Sequence, residues 1–124
     1  MDEQLKKHLS KAPDGLLTYE YIANHIADCG DIMPELVSNM IAVDTTGQFS
    51  VSAARYLHAI NSSAYADEID RLVASAIEKD REHRYIADLL PALWGPDYME
   101  HAEELSLASN NFRRLFKRIH PVGM

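Results

Sequence analysis

Residues 80 to 84, Asp-Arg-Glu-His-Arg, put two carboxylates, an imidazole and two guanidiniums into five consecutive positions. Those are the groups of general acid–base catalysis, and the first question is whether they form a catalytic cluster. The flanking pattern answers it. Tyr65, Ile69, Leu72, Val73, Ala76 and Ile77 recur at helical spacing, and so do Tyr85, Ile86, Leu89, Leu90 and Leu93. The two stripes are out of phase, since a single continuous helix would put Asp80 and His83 or Arg84 on its apolar face. The chain must break near Asp80, and the charged run reads as a junction between two helices.

Other chemistries leave equally little trace. His8, His25, His58, His83, His101 and His120 include no H-E-x-x-H and no pair at i, i+4, so no metal site is expected. Glu100-His101 beside Glu103-Glu104 comes nearest, but adjacent residues point in different directions around a helix. His25 and His58 lie near apolar stripes and are expected as partly buried imidazoles. Cys29 stands at a helix end beside Gly30 and Asp31, where negative potential disfavours a thiolate. The serines show no G-x-S-x-G elbow and no S-x-x-K, and five glycines give little material for a phosphate-binding loop. No catalytic residue, metal or cofactor is expected, and an enzyme with a site on a concave face stays a second alternative.

The chain has 124 residues, 47% of them apolar or aromatic, which suits one domain with a single modest core. Its formal charge of −7 repels phosphate backbones and anionic lipid, so free nucleic acid is not an expected partner. A single cysteine and an N-terminal MDEQLKKHLSK without an apolar run point to a reducing compartment, most simply the cytoplasm. No stretch approaches the ~20 apolar residues of a membrane-spanning helix, and no membrane insertion is expected.

The rest of the pattern is helical. A short helix around Leu5 and Leu9 is closed by Pro13-Asp14-Gly15, and another starts at Thr18 and ends near Gly30. Asp31 is a candidate cap for a stripe from Ile32 to Ile41, with Pro34 in the first turn. Ser50 opens a helix through Ala54, Leu57 and Ile60, and Ser62-Ser63 are candidate caps for the Tyr65 stripe. Phe49-Ser50-Val51 could be briefly extended. Pro91 should kink or shorten the helix that starts near Glu82, and Gly95-Pro96 stops it. Asp97 with Glu100 reads as a capping box for a helix through Ala102 and Leu105. The last helix follows Ser109-Asn110 with Phe112, Leu115, Phe116 and Ile119 on one side. The fold class is all-α, about seven short helices in one domain over residues 1–124.

Helix starts near Thr18, Ser50 and Glu82 are spaced by 32 residues, and Tyr21-Ile22-Ala23-Asn24 returns as Tyr85-Ile86-Ala87-Asp88. The stretch Asp80 to Leu90 resembles the D-P-x-V-R-x-x-A-x-x-L turn and second helix of HEAT repeats, particularly the phycobilisome-lyase type. Arg81 and His83 replace the Pro and Val of that pattern, and Glu20 stands where an earlier copy would place the Arg. The resemblance implies antiparallel helix pairs stacked as a small α-solenoid. Residues 1–15 would form the N-terminal helix and turn, and residues 16–120 three to four repeats. It also implies structural roles for Asp80, as a cap, and for Arg84, between neighbouring repeats.

A charge asymmetry adds candidate binding residues. Residues 112–124 carry four Lys and Arg with no acid, whereas residues 1–111 carry eight against 19 acids. Arg113, Arg114, Lys117 and Arg118 could bind phosphates, an anionic membrane or an acidic partner groove, or simply favour the C-terminus of a docked helix and offset the charge of the body. Glu20, Asn24 and Asp88 are candidates on the surface of the second helices. The expected function is a non-enzymatic protein–protein interaction module. An immunity- or inhibitor-type protein that binds a basic partner is the first alternative. Neither the partner's identity nor the oligomeric state is legible.

Overall fold

The computed structural model describes residues 1–11 and 14–121. They form eight α-helices, α1 Glu3–Leu9, α2 Leu16–Asn24, α3 Met33–Val43, α4 Gln48–Asn61, α5 Ala66–Lys79, α6 Leu89–Trp94, α7 Ala102–Ala108 and α8 Asn110–Ile119. Short 3-10 turns at Gly30–Ile32, Ile86–Asp88 and Tyr98–His101 lead into α3, α6 and α7. The count is eight rather than about seven, and no strand occurs among the described residues. Phe49, Ser50 and Val51 lie inside α4. Pro13 of the expected first turn lies outside the described residues.

The apolar stripes became the core. Met33, Leu36, Val37 and Met40 of α3, Leu57 of α4, and Leu72, Ala76 and Ile77 of α5 are fully buried and belong to one cluster with Ile22, Ile86, Leu89, Leu90, Phe112 and Leu115. At roughly 1.5–3 kcal/mol per fully buried large side chain, this cluster dominates the stabilising side of folding. Its polar supplement is a short network: Ser10 Oγ donates to Asn39 Oδ1 at 3.0 Å, and Asn39 Nδ2 donates to Thr18 Oγ1 at 3.0 Å. That network joins the end of α1 to α2 and α3.

Several caps differ from expectation: 3-10 turns lead into α3 and α7, and Tyr65, not Ser62 or Ser63, directly precedes α5. Asp31 lies inside the turn before α3, and Ser62 and Ser63 lie ahead of Tyr65, the residue that precedes α5. Asp97 and Glu100 make no capping box; Asp97 precedes a 3-10 turn without a side-chain cap bond. The helix expected from Glu82 begins only at Ile86, so Pro91 is the third residue of α6. There its missing N–H falls among those the first turn leaves unpaired anyway, and no kink is needed. Gly95 ends α6 with φ 94°. Ser109 caps α8 as its position suggested, accepting from the Phe112 amide at 3.1 Å.

Neighbouring helices stack in a consistent sense. Arg71 of α5 reaches Pro34 O and Ser38 Oγ near the start of α3, while Lys79 at the end of α5 donates to Ile41 O near the end of α3. These contacts advance together, so α3 and α5 run parallel. Arg55 of α4 pairs with Asp88 before α6, and Ala59 and Ala92 line one hollow, which sets α4 and α6 parallel too. The C-terminal helix differs. Asn111 Nδ2 donates to Asp70 O at 3.0 Å and Arg118 to Ile77 O at 2.8 Å, so α8 also runs parallel to α5. An unbroken stack of antiparallel pairs would set α8 against α5, so α8 departs from that order.

Candidate functional site

The residues singled out by sequence fall into three places. The first is the junction. Asp44, at the end of α3, is 1% exposed and accepts from the amides of Thr46, Gly47 and Ser50 at 3.1, 3.0 and 2.9 Å. Asp80, at the end of α5, is 3% exposed and accepts from the amides of Arg84, Tyr85 and Ile86 at 2.9, 2.7 and 2.9 Å. Each carboxylate fastens the turn into the next helix with charge-assisted hydrogen bonds. Asp80 thus fastens the turn and, through the Ile86 amide, the first residue of the 3-10 turn that leads into α6. Arg84 makes its ion pair with Glu82 on that same turn, at 2.6 Å, and not with a neighbouring helix pair.

The second is the basic helix. Arg114 reaches Glu78 at 3.8 Å and Arg118 donates to the Ile77 carbonyl in the last turn of α5, where the helix dipole is negative. Arg113 bonds Asn110 Oδ1 on its own helix, and Lys117 is exposed. Docking therefore consumes half of the basic cluster. Around it, Tyr98, Phe112, Phe116 and His120 pack ring to ring, with Tyr98 and Phe116 centroids 6.4 Å apart and Tyr98 Oη 2.8 Å from His120 Nε2.

The third is a groove along α4, which sequence reasoning did not find. Tyr19 of α2, Arg55, Tyr56 and Ala59 of α4 and Ala92 of α6 line a hollow of about 380 Å³. Tyr19 and Tyr56 meet edge to face, centroids 6.4 Å apart. His58 lines that hollow and also a second one of about 230 Å³, walled by Ser62, Ile69, Asp70, Val73 and Trp94. Trp94 is fixed from behind by Phe112, at 5.2 Å between ring centres. Burial pushes the Asp70 carboxyl above its ordinary value, and the charge of Asp67 adds to it. Of the expected surface residues, Asp88 belongs to the rim through Arg55, at 4.0 Å, while Glu20 and Asn24 are exposed on α2 but do not line the groove.

The chain matches no family model, no curated protein and no solved structure. The site has to be read from its own chemistry.

Ser62, His58 and Asp70 share the second hollow, yet among the described residues no hydrogen bond joins them, so the base–nucleophile contact of an activated serine is lacking. His58 is half-buried, but no hydrogen bond satisfies its ring among the described residues, whereas His25 is exposed and stacks on Tyr21 with centroids 4.2 Å apart. Cys29 is buried. Loss of water pushes its thiol up, a backbone hydrogen bond partly opposes that, and Asp28 adds to it. The 3-10 turn before α7 corrects the geometry expected of an α-helix there: it brings ligand atoms of Asp97, Glu100 and His101 within 4.8 Å of one another. All three are exposed, and His101 Nε2 already lies 3.4 Å from Asp97 Oδ2. No helix of the described residues is long and apolar enough to cross a membrane.

Proposed function

We propose that this protein is a non-enzymatic protein-binding module, a short HEAT-like array of helix pairs closed by α8, working in a reducing compartment such as the cytoplasm. The observation that carries the reading is the pair of adjoining hollows along α4, one lined by Tyr19, Arg55 and Tyr56 and the other by Trp94, with His58 lining both. Tyr, Trp and Arg are the residue types that dominate binding energy at protein interfaces, because they bury large area while keeping a polar end. A groove walled by rigid helices also loses little entropy on binding.

The partner segment is basic. The body carries the whole excess of acid, and two of the four cations on α8 are engaged with α5. Asp70 lines the second hollow within reach of the charge of Asp67, and Asp88 sits at the rim beside Arg55, so a cationic segment meets favourable potential on approach, which raises the association rate and selects the partner. An immunity-type inhibitor is the same reading with an enzyme as the basic partner, silenced by occupancy.

The test is affinity capture at low and moderate salt with wild type, Tyr56→Asp and Arg113→Ala/Lys117→Ala chains. A stoichiometric basic partner kept by the α8 variant, lost by Tyr56→Asp and weakened by salt supports the groove. A partner indifferent to Tyr56→Asp, or lost with Arg113 and Lys117, overturns it.

A further inference from the structure

The turn after α3 and the turn after α5 together line a cleft of about 230 Å³. We propose that this cleft binds a phosphoryl-type anion, held by Lys79, Arg81 and Arg84 with the hydroxyl of Thr45. All four residues line it, together with Thr46 and Tyr85.

Three cations line the cleft in a protein whose net charge is −7. Both walls are fastened. Asp44 fixes the turn that carries Thr45 and Thr46, and Asp80 fixes the turn that carries Arg81 and Arg84. Of the carboxylates in the lining, Asp80 has both oxygens turned to backbone amides, and Glu82 is paired with Arg84, so the three cations exceed the two acids by one. Among the described residues Arg81 forms no ion pair. Lys79 gives one of its three N–H groups to Ile41 O and keeps two.

Two further features fit an anion. Burial lowers the Lys79 amine below its ordinary pKa, against the opposing pull of Asp44 and Glu78, and an anion in the cleft would offset that cost. His83, in the turn between Arg81 and Arg84, has φ 59° and is the one non-glycine residue with positive φ among the described residues. A side chain held in that region is conformationally costly, and such costs gather where a turn must present its neighbours in one arrangement. Planar guanidiniums suit the bidentate recognition of phosphoryl oxygens.

The ligand chemistry can come from a free phosphate or from a phosphorylated side chain. Backbone amide NMR titration of the full chain near neutral pH separates them, using inorganic phosphate in one arm and blocked phosphoserine in the other, at ionic strength held constant with chloride. Saturable shifts at the Thr45, Thr46, Arg84 and Tyr85 amides are expected, with Arg81→Gln weakening binding roughly tenfold, the loss of about one charge-assisted contact. Glu82→Gln, which frees Arg84, should tighten it several-fold. The stronger arm names the source. Shifts no larger than chloride produces, shifts scattered over other residues, or affinity unchanged in both variants would overturn the site.

Discussion

Gly47 is pressed against Asp80. A methyl group on Gly47 would stand 3.3 Å from Asp80 Cβ and 3.4 Å from the Ala76 carbonyl, and the residue has φ 89°. The turn after α3 is thereby seated on the end of α5, which brings the two buried carboxylates' turns together. Gly47→Ala meets both a left-handed backbone and a tight contact with Asp80 Cβ. A loss of about 1–3 kcal/mol in urea unfolding is expected.

Asp80→Ala removes the acceptor for three amides, of which that of Ile86 is buried. The expected cost is about 2 kcal/mol, the upper range for one cap residue, since several donors are orphaned at once. Asp97→Ala, at an exposed position with only a His101 contact, should change stability by less than about 0.5 kcal/mol. Comparable midpoints for the two variants would mean that the Asp80 bonds do not hold the junction.

Arg118→Met keeps the side chain's apolar stem and deletes its hydrogen bond to the Ile77 carbonyl. A loss of about 1 kcal/mol is expected, while Arg113→Met, bonded only to Asn110 on the same helix, should stay within about 0.5 kcal/mol. Parallel thermal melts at low and high salt distinguish them. Equal effects would show that α8 is not fastened to α5 through Arg118.

Ser75 lies in the buried face of α5, and its hydroxyl has no hydrogen-bond partner among the described residues. Ser75→Ala removes an unsatisfied polar atom and adds the better helix former. Chemical denaturation should register a gain of about 1 kcal/mol. A loss instead would reveal that the hydroxyl is satisfied in solution.

Asp70 has a carboxyl raised above 3.8 in the fold, first by burial and then by Asp67. The folded state therefore holds its proton to higher pH than the unfolded chain does, and stability falls as pH rises from 3.8 through the raised value. Asp70→Asn should raise the melting temperature at neutral pH by a small amount, the side chain being largely exposed, and leave it unchanged below the unfolded value. A variant no more stable at neutral pH would contradict the shift's direction.

Much of the helical order was legible because it is written locally. The stripes from Ile32 to Ile41 and from Tyr65 to Ile77 have one apolar side each, and a side that must leave water specifies a helix and its buried face together. The out-of-phase stripes located the break at Asp80, and Gly95-Pro96 located another. Helix starts were less legible: a 3-10 turn before α3, α6 or α7 satisfies the first amides by main-chain geometry, so Asp31 and Asp97 looked like caps and are not.

What the sequence determined by itself is an all-helical chain with an acidic body, a basic last helix and a junction at Asp80. Those follow from composition, from period and from the few residues that stop helices. Only the tertiary structure decided that Tyr19 and Tyr56 share one hollow and His58 and Trp94 the next, that Thr45 and Arg81 line one cleft, and that Arg114 and Arg118 turn toward α5. Each of those relations joins residues tens of positions apart, through the angle at which packed helices settle, and no local spacing encodes that angle.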